Sequence, residues 1–135
     1  MARESAAGDE LLVQGVELFN QRHFFEAHEV WEELWTPARG PERLFLQALI
    51  HLAVAFYHAQ RDNRLGALRQ LRKGLKKLAG YLPQAYGVDT LALYRKATVC
   101  LERVERGDLS LDVPTVAFSE RRRSLATDCR SDPPP

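Results

Sequence analysis

The sequence predicts an all-α fold, a single-domain bundle of about five helices. Three observations carry this: apolar residues return every three or four positions up to residue 108, no stretch alternates with a period of two, and Pro, Gly and capping residues interrupt the pattern at short intervals. At 135 residues and 45% hydrophobic the chain is long enough for one real core and too short for several domains.

Asp9 is a candidate cap for a first helix running to about Gln21, with Leu11 or Leu12, Val16 and Phe19 facing inward. A second helix is expected over 24–35 after the polar stretch Asn20-Gln21-Arg22-His23. Pro41 suits the opening of a third helix, where the missing amide hydrogen is tolerated, and that helix should reach about Gln60. Asp62 or Asn63 can cap a fourth, to about Leu82 with Pro83 just beyond. Asp89 or Thr90 can open a fifth that ends near Gly107. The expected helical domain spans 8–108. Over 109–135 apolar residues are scattered among Pro114, Arg121-Arg122-Arg123 and a terminal Asp-Pro-Pro-Pro, which reads as a flexible tail.

Short connections imply antiparallel helical hairpins. A faint internal echo at an offset of 40 aligns Phe25 with Leu65, Ala27 with Ala67 and Trp31 with Leu71. A turn, then a small residue, then periodic large ones resembles the packing of tetratricopeptide repeats.

Composition excludes several function classes. The formal charge of +1 gives no global pull toward nucleic acid or an anionic membrane. Two cysteines, Cys100 and Cys129, do not make a disulfide framework, and the N-terminal stretch lacks the apolar core of a signal peptide, so the expected compartment is the cytoplasm. The most apolar run, 44–59, is shorter than the roughly 18 residues of a membrane span and contains Gln47, His51 and His58. Phosphate loops, nucleophile elbows and paired Cys-x-x-Cys ligands are absent from the sequence. Cys100 shares a face with Ala97, Leu101 and Val104 and reads as a core residue.

The third helix is apolar on nearly every side, hence central. Taking Gln47 as zero and 100° per residue, His58 falls near 20° and His51 near 40°, so three polar side chains share one stripe. Buried polar groups need partners, and the second helix offers them at its edge: His28 and Glu32, with Glu29 within reach if the helices cross obliquely. One reading is structural, with these groups satisfying one another and a buried water. A second is a ligand-binding or catalytic pocket, with His28, Glu29 and Glu32 as its chemistry and Gln47, His51, His58, Trp31 and Trp35 as its lining. A third is a metal site built from His28, Glu32, His51 and His58, a donor set that suits a divalent transition metal such as zinc, iron, manganese or nickel. Trp31 and Trp35, with Phe24, read first as packing for the second helix, and Tyr57 likewise as packing.

The string Phe25-Glu26-Ala27-His28-Glu29 followed by Glu32, Glu33 and Trp35, then Gly40-Pro41, Phe45-Leu46-Gln47-Ala48-Leu49-Ile50, and Asn63 with Gly66-Ala67, resembles domain-of-unknown-function family 309, small all-helical proteins of bacteria and archaea. The resemblance runs from about residue 12 to 89. It implies an all-α fold and a signature centred on His28, Glu29, Glu32, Trp35 and Gln47, without an assigned activity. The chain departs from the family's usual pattern with His51 in place of Gln and Ala48 in place of Gly.

Beneath the neutral total lies a dipole. Residues 1–35 hold eight acids and two bases, while 61–77 hold seven bases and one acid. The basic helix sets its charges opposite a leucine stripe, which reads first as the solvated face of an amphipathic helix, and it lacks interleaved aromatic residues, so specific nucleic-acid binding is not expected; non-specific phosphate contact, a protein partner or the acidic end of a second copy are the alternatives. The sequence leaves an interaction or ligand-binding module and a metal protein or hydrolase-like enzyme both open.

Overall fold

The computed structural model describes residues 2–119, with side chains described from Asp9 onward. Five α-helices follow one another: α1 (Ala2–Asn20), α2 (Phe24–Trp35), α3 (Gly40–Gln60), α4 (Arg64–Leu78) and α5 (Thr90–Glu105), with a 3-10 turn at Ala79–Tyr81. Each packs chiefly on its neighbours in sequence, α1 on α2, α2 on α3, α3 on α4 and α4 on α5. Isolated bridges joining Val88 to Ala85 and Phe118 are the only β pairings among the described residues.

The expected helix ends hold where the chemistry is specific. Asn63 caps α4 by accepting from the Gly66 amide at 3.0 Å, Asp89 caps α5 by accepting from Ala92 at 3.1 Å, and Pro41 sits in the first turn of α3. Two differ. Asp9 lies inside α1, which begins at Ala2, because the alanine-rich start is itself a good helix former. Helix α4 stops at Leu78, and the 3-10 turn carries the chain toward Leu82 and Pro83.

The echo at an offset of 40 extends to individual backbone hydrogen bonds. After α1, the amide of Arg22 bonds to Phe19 and that of His23 to Leu18, with Arg22 at φ 71°; after α3, Asp62 bonds to Ala59 and Asn63 to His58, with Asp62 at φ 61°. Both are Schellman endings with a non-glycine residue in the left-handed position, and each leads directly into the next helix. Ala27 and Ala67, equivalent in the two hairpins, are both fully buried. The two turns are joined by the Gln60 amide, which donates to the Arg22 carbonyl at 3.0 Å.

An aromatic core knits the first three helices. Phe19 meets Phe24 edge-on at 4.9 Å, Trp31 at 5.8 Å and Phe56 at 5.9 Å. Trp31 is completely buried, its indole donates to the Leu12 carbonyl at 3.3 Å, and it lies flush against Gly15, where an added Cβ would fall 2.1 Å from Nε1. At the far end, Tyr81 donates to the Pro41 carbonyl at 2.6 Å and accepts, through its own carbonyl, the Thr90 hydroxyl at 2.6 Å, tying the α4–α5 loop over the start of α3.

Residues 109–119, the first part of the stretch expected as a flexible tail, lie against the helices. Val116 is buried and exchanges hydrogen bonds with the Asn20 side chain at 3.0 and 2.8 Å. The Asp89 amide bonds to Ala117, and that of Ser119 to Gly87. The expectation for 120–135, Cys129 included, falls outside the described residues.

Candidate functional site

The polar stripe on α3 does not converge on α2. His51 points to α4, where its Nδ1 donates to Oε1 of Gln70 at 2.7 Å. Burial pushes the imidazole below its ordinary 6.5; the bond to Gln70 opposes that shift, and the nearby Lys77 and Lys73 add to it. His58 belongs to the α3–α4 turn. Its Nδ1 accepts from the Asn63 amide at 3.2 Å, and its ring covers Gly66, where an added Cβ would come within 2.8 Å of the ring carbons. Asn63 thus holds His58 with one end of its amide and caps α4 with the other. Gln47 is half-buried, one turn before His51.

The reason is axial. Gln47 and His58 share an angle on the helix but are eleven residues apart, about 16 Å along the axis at 1.5 Å per residue. His51 and His58 are separated by about 10 Å in the same way. No ion with ligand distances near 2 Å spans such a stripe. The expected metal set of His28, Glu32, His51 and His58 is therefore not assembled, and among the described residues no three His, Cys, Asp or Glu side chains are grouped to hold a metal.

His28 and Glu32 do meet, at the surface. His28 Nδ1 donates to the Phe25 carbonyl at 2.8 Å, and Nε2 lies 3.4 Å from the Glu32 carboxylate, one turn on. Beside them Phe25, 44% exposed, lies 5.0 Å from the His28 ring and 5.2 Å from Tyr57, and the Arg61 guanidinium sits 5.5 Å over Tyr57. Tyr57, expected in packing, is half-buried and backs this exposed cluster. Glu29 and Glu33 continue outward on the same helix, both exposed. The result is an aromatic platform with acidic residues along its α2 side and Arg61 over Tyr57.

The two tryptophans separate. Trp31 is core, whereas Trp35 is half-buried under the Arg43 guanidinium, 3.8 Å above its ring; Arg43 also donates to the Trp35, Thr36 and Ala38 carbonyls and so seals the end of α2. Cys100 is buried with Sγ 3.5 Å from the Asp112 carbonyl, and burial pushes its thiol up to about 11, the mark of a structural cysteine. Phe25 lies off the α2 apolar arc of Phe24, Ala27, Trp31, Leu34 and Trp35, among Glu29 and Glu33, and that is the signal the sequence carries for this surface. Tyr57 carries none, because it fits the all-round apolar pattern of α3, and its exposure shows only once α2 and α3 are docked.

No described helix is long and apolar enough to cross a membrane. Residues 12–70 match the family described as "Domain of unknown function (DUF309)", so this stretch is a DUF309 domain; it takes in the platform and ends short of residue 89. Over 65 residues the chain is 38% identical to "Uncharacterized protein YpuF" of Bacillus subtilis (strain 168), a match covering 47% of this chain and 37% of that protein. The chain thus aligns with well under two thirds of that relative's length.

Proposed function

Taking residues 12–70 as a DUF309 domain, we propose that the chain is a protein-interaction module, its two hairpins stacked in a tetratricopeptide-like manner and its contact surface the outward side of α2. The observation that carries this reading is Phe25, a large aromatic side chain 44% exposed yet held between His28 and Tyr57. A pre-ordered aromatic group at the surface loses little side-chain entropy on binding, which is why such residues anchor interfaces. Glu29, Glu32 and Glu33 make the α2 side of the platform acidic, so the partner it fits is a basic polypeptide surface offering an apolar residue. In this reading His28, Glu29 and Glu32 orient and contact a partner, while Trp31, Gln47, His51 and His58 hold the helices and Trp35 closes the end of α2.

A photo-crosslinking amino acid placed at position 25, in cells expressing the chain, tests this. Discrete polypeptide adducts at 25 that are absent from the same probe at exposed Val99 on α5 are expected. Equal labelling at the two positions, or none at 25, would contradict the reading.

A further inference from the structure

The offset of 40 that relates the two hairpins also relates their outer surfaces. On α2 the residues Phe25, Glu29 and Glu33 form one ridge at four-residue spacing; their equivalents on α4 are Leu65, Arg69 and Lys73, also a ridge, and all six are exposed. Each ridge has an exposed apolar group at its N-terminal end, 44% exposed for Phe25 and 51% for Leu65, followed by two charges. The charges are opposite in sign at every equivalent position.

Three neighbouring charges are already engaged, while Glu26 and Lys76 extend the two charged faces without an ion pair among the described residues. Glu32 faces His28 at 3.4 Å, and Arg72 pairs with Glu105 of α5 at 3.3 Å. Arg64 is spent on the Val104 and Glu105 carbonyls. Glu29, Glu33, Arg69 and Lys73 have no ion-pair partner among the described residues. Each ridge also sets like charges four apart, an arrangement that costs an isolated helix about 0.2–0.5 kcal/mol per pair. Helix stability therefore gives no reason for either ridge.

We propose that these ridges bind each other between copies, the Phe25/Glu29/Glu33 ridge of one chain meeting the Leu65/Arg69/Lys73 ridge of a second. The occupant of the α2 surface is then another copy of this chain, which deepens the interaction-module reading and rests on it. Ridges at four-residue spacing interdigitate readily, and the apolar ends supply the contact that water-screened charges alone would not. Two different patches meet, so the contact is heterologous, and its small area makes it reversible and salt-sensitive.

Sedimentation of the full chain reads this out. Reversible association is expected at about 50 mM salt and loss to monomer at about 500 mM, where screening shortens the reach of each charge. Glu29→Lys with Glu33→Lys, and separately Arg69→Glu with Lys73→Glu, should each weaken association at least about tenfold without changing helicity or melting temperature, while Glu102→Lys on α5 leaves it intact. Monomer at low salt, or association sensitive to only one of the two pairs, would overturn the proposal. A monomer that still crosslinks a foreign polypeptide through position 25 would overturn self-association and leave the interaction module standing; a monomer with no adducts would remove both. Low-salt retention on nucleic acid that Arg69→Glu with Lys73→Glu abolishes, in a monomeric chain, would assign the α4 ridge to phosphate and also overturn it.

Discussion

The hairpin α1–α2 and the hairpin α3–α4 share a backbone and differ in what they place on it. Their turns repeat bond for bond at an offset of 40, with Arg22 and Asp62 in the same left-handed position and Ala27 and Ala67 at the same buried site. Inside, volume is traded: Gly15 against Trp31 in the first hairpin becomes Ala55 and Leu71 in the second. Outside, charge is inverted. A frame fixed by turn geometry and two small residues thus accepts either core filling and either surface sign.

The largest effect should come from breaking the first hairpin's filling. Trp31→Ala removes a fully buried indole and is expected to cost about 3–5 kcal/mol in denaturant unfolding. Gly15→Ala should cost about 1–3 kcal/mol, because its Cβ would lie on the indole, and Gly15→Ala with Trp31→Leu should recover much of that by importing the second hairpin's solution. Strict additivity of the two changes would show that the volumes are not traded.

Asn20 and Gln60 are equivalents with different duties. Asn20 is half-buried and holds Val116 through two hydrogen bonds, whereas Gln60 is exposed and makes one to Arg22. Asn20→Ala should cost about 1–3 kcal/mol and speed amide exchange at Val116, while Gln60→Ala should cost about 0.5–1.5 kcal/mol. Equal costs would mean that the two Asn20 bonds to Val116 add no more than the one exposed bond of Gln60.

A third contrast is in pH. His51 binds its proton more weakly when folded than when unfolded, so its contribution is whole above 6.5 and declines as pH falls below 6.5 through the folded value. His51→Gln should flatten the stability profile in that window. The second hairpin carries this dependence through the His51–Gln70 bond, and at the equivalent positions of the first hairpin, Leu11 and Val30, no titratable group stands. The smallest effect should be Asp62→Gly or Arg22→Gly, each relieving a positive φ and stabilising by up to about 1 kcal/mol, as Gly107 already does at the end of α5.

The fold was legible wherever a residue has one strong reason for its place: Asn63 and Asp89 as caps, Pro41 in the first turn of α3, and Gly107 just past α5. Asp9 misled because a carboxylate on an exposed helix face and one at a cap look alike in sequence. The docking of 109–119 depends on backbone groups meeting Asn20 and Gly87, which leave no periodic trace. The candidate site was half legible. The four-residue spacing of His28 and Glu32 gives a true contact, but a shared angle around α3 is not proximity, and the rise along its axis keeps Gln47, His51 and His58 apart.

Mixing the two charge-reversed chains tests the inverted ridges most directly. Glu29→Lys/Glu33→Lys protein carries two basic ridges and Arg69→Glu/Lys73→Glu protein two acidic ones, so each alone should sediment as monomer at about 50 mM salt, while an equimolar mixture should associate at least as strongly as the unaltered chain. A mixture that stays monomeric where the unaltered chain associates would contradict the pairing of α2 with α4.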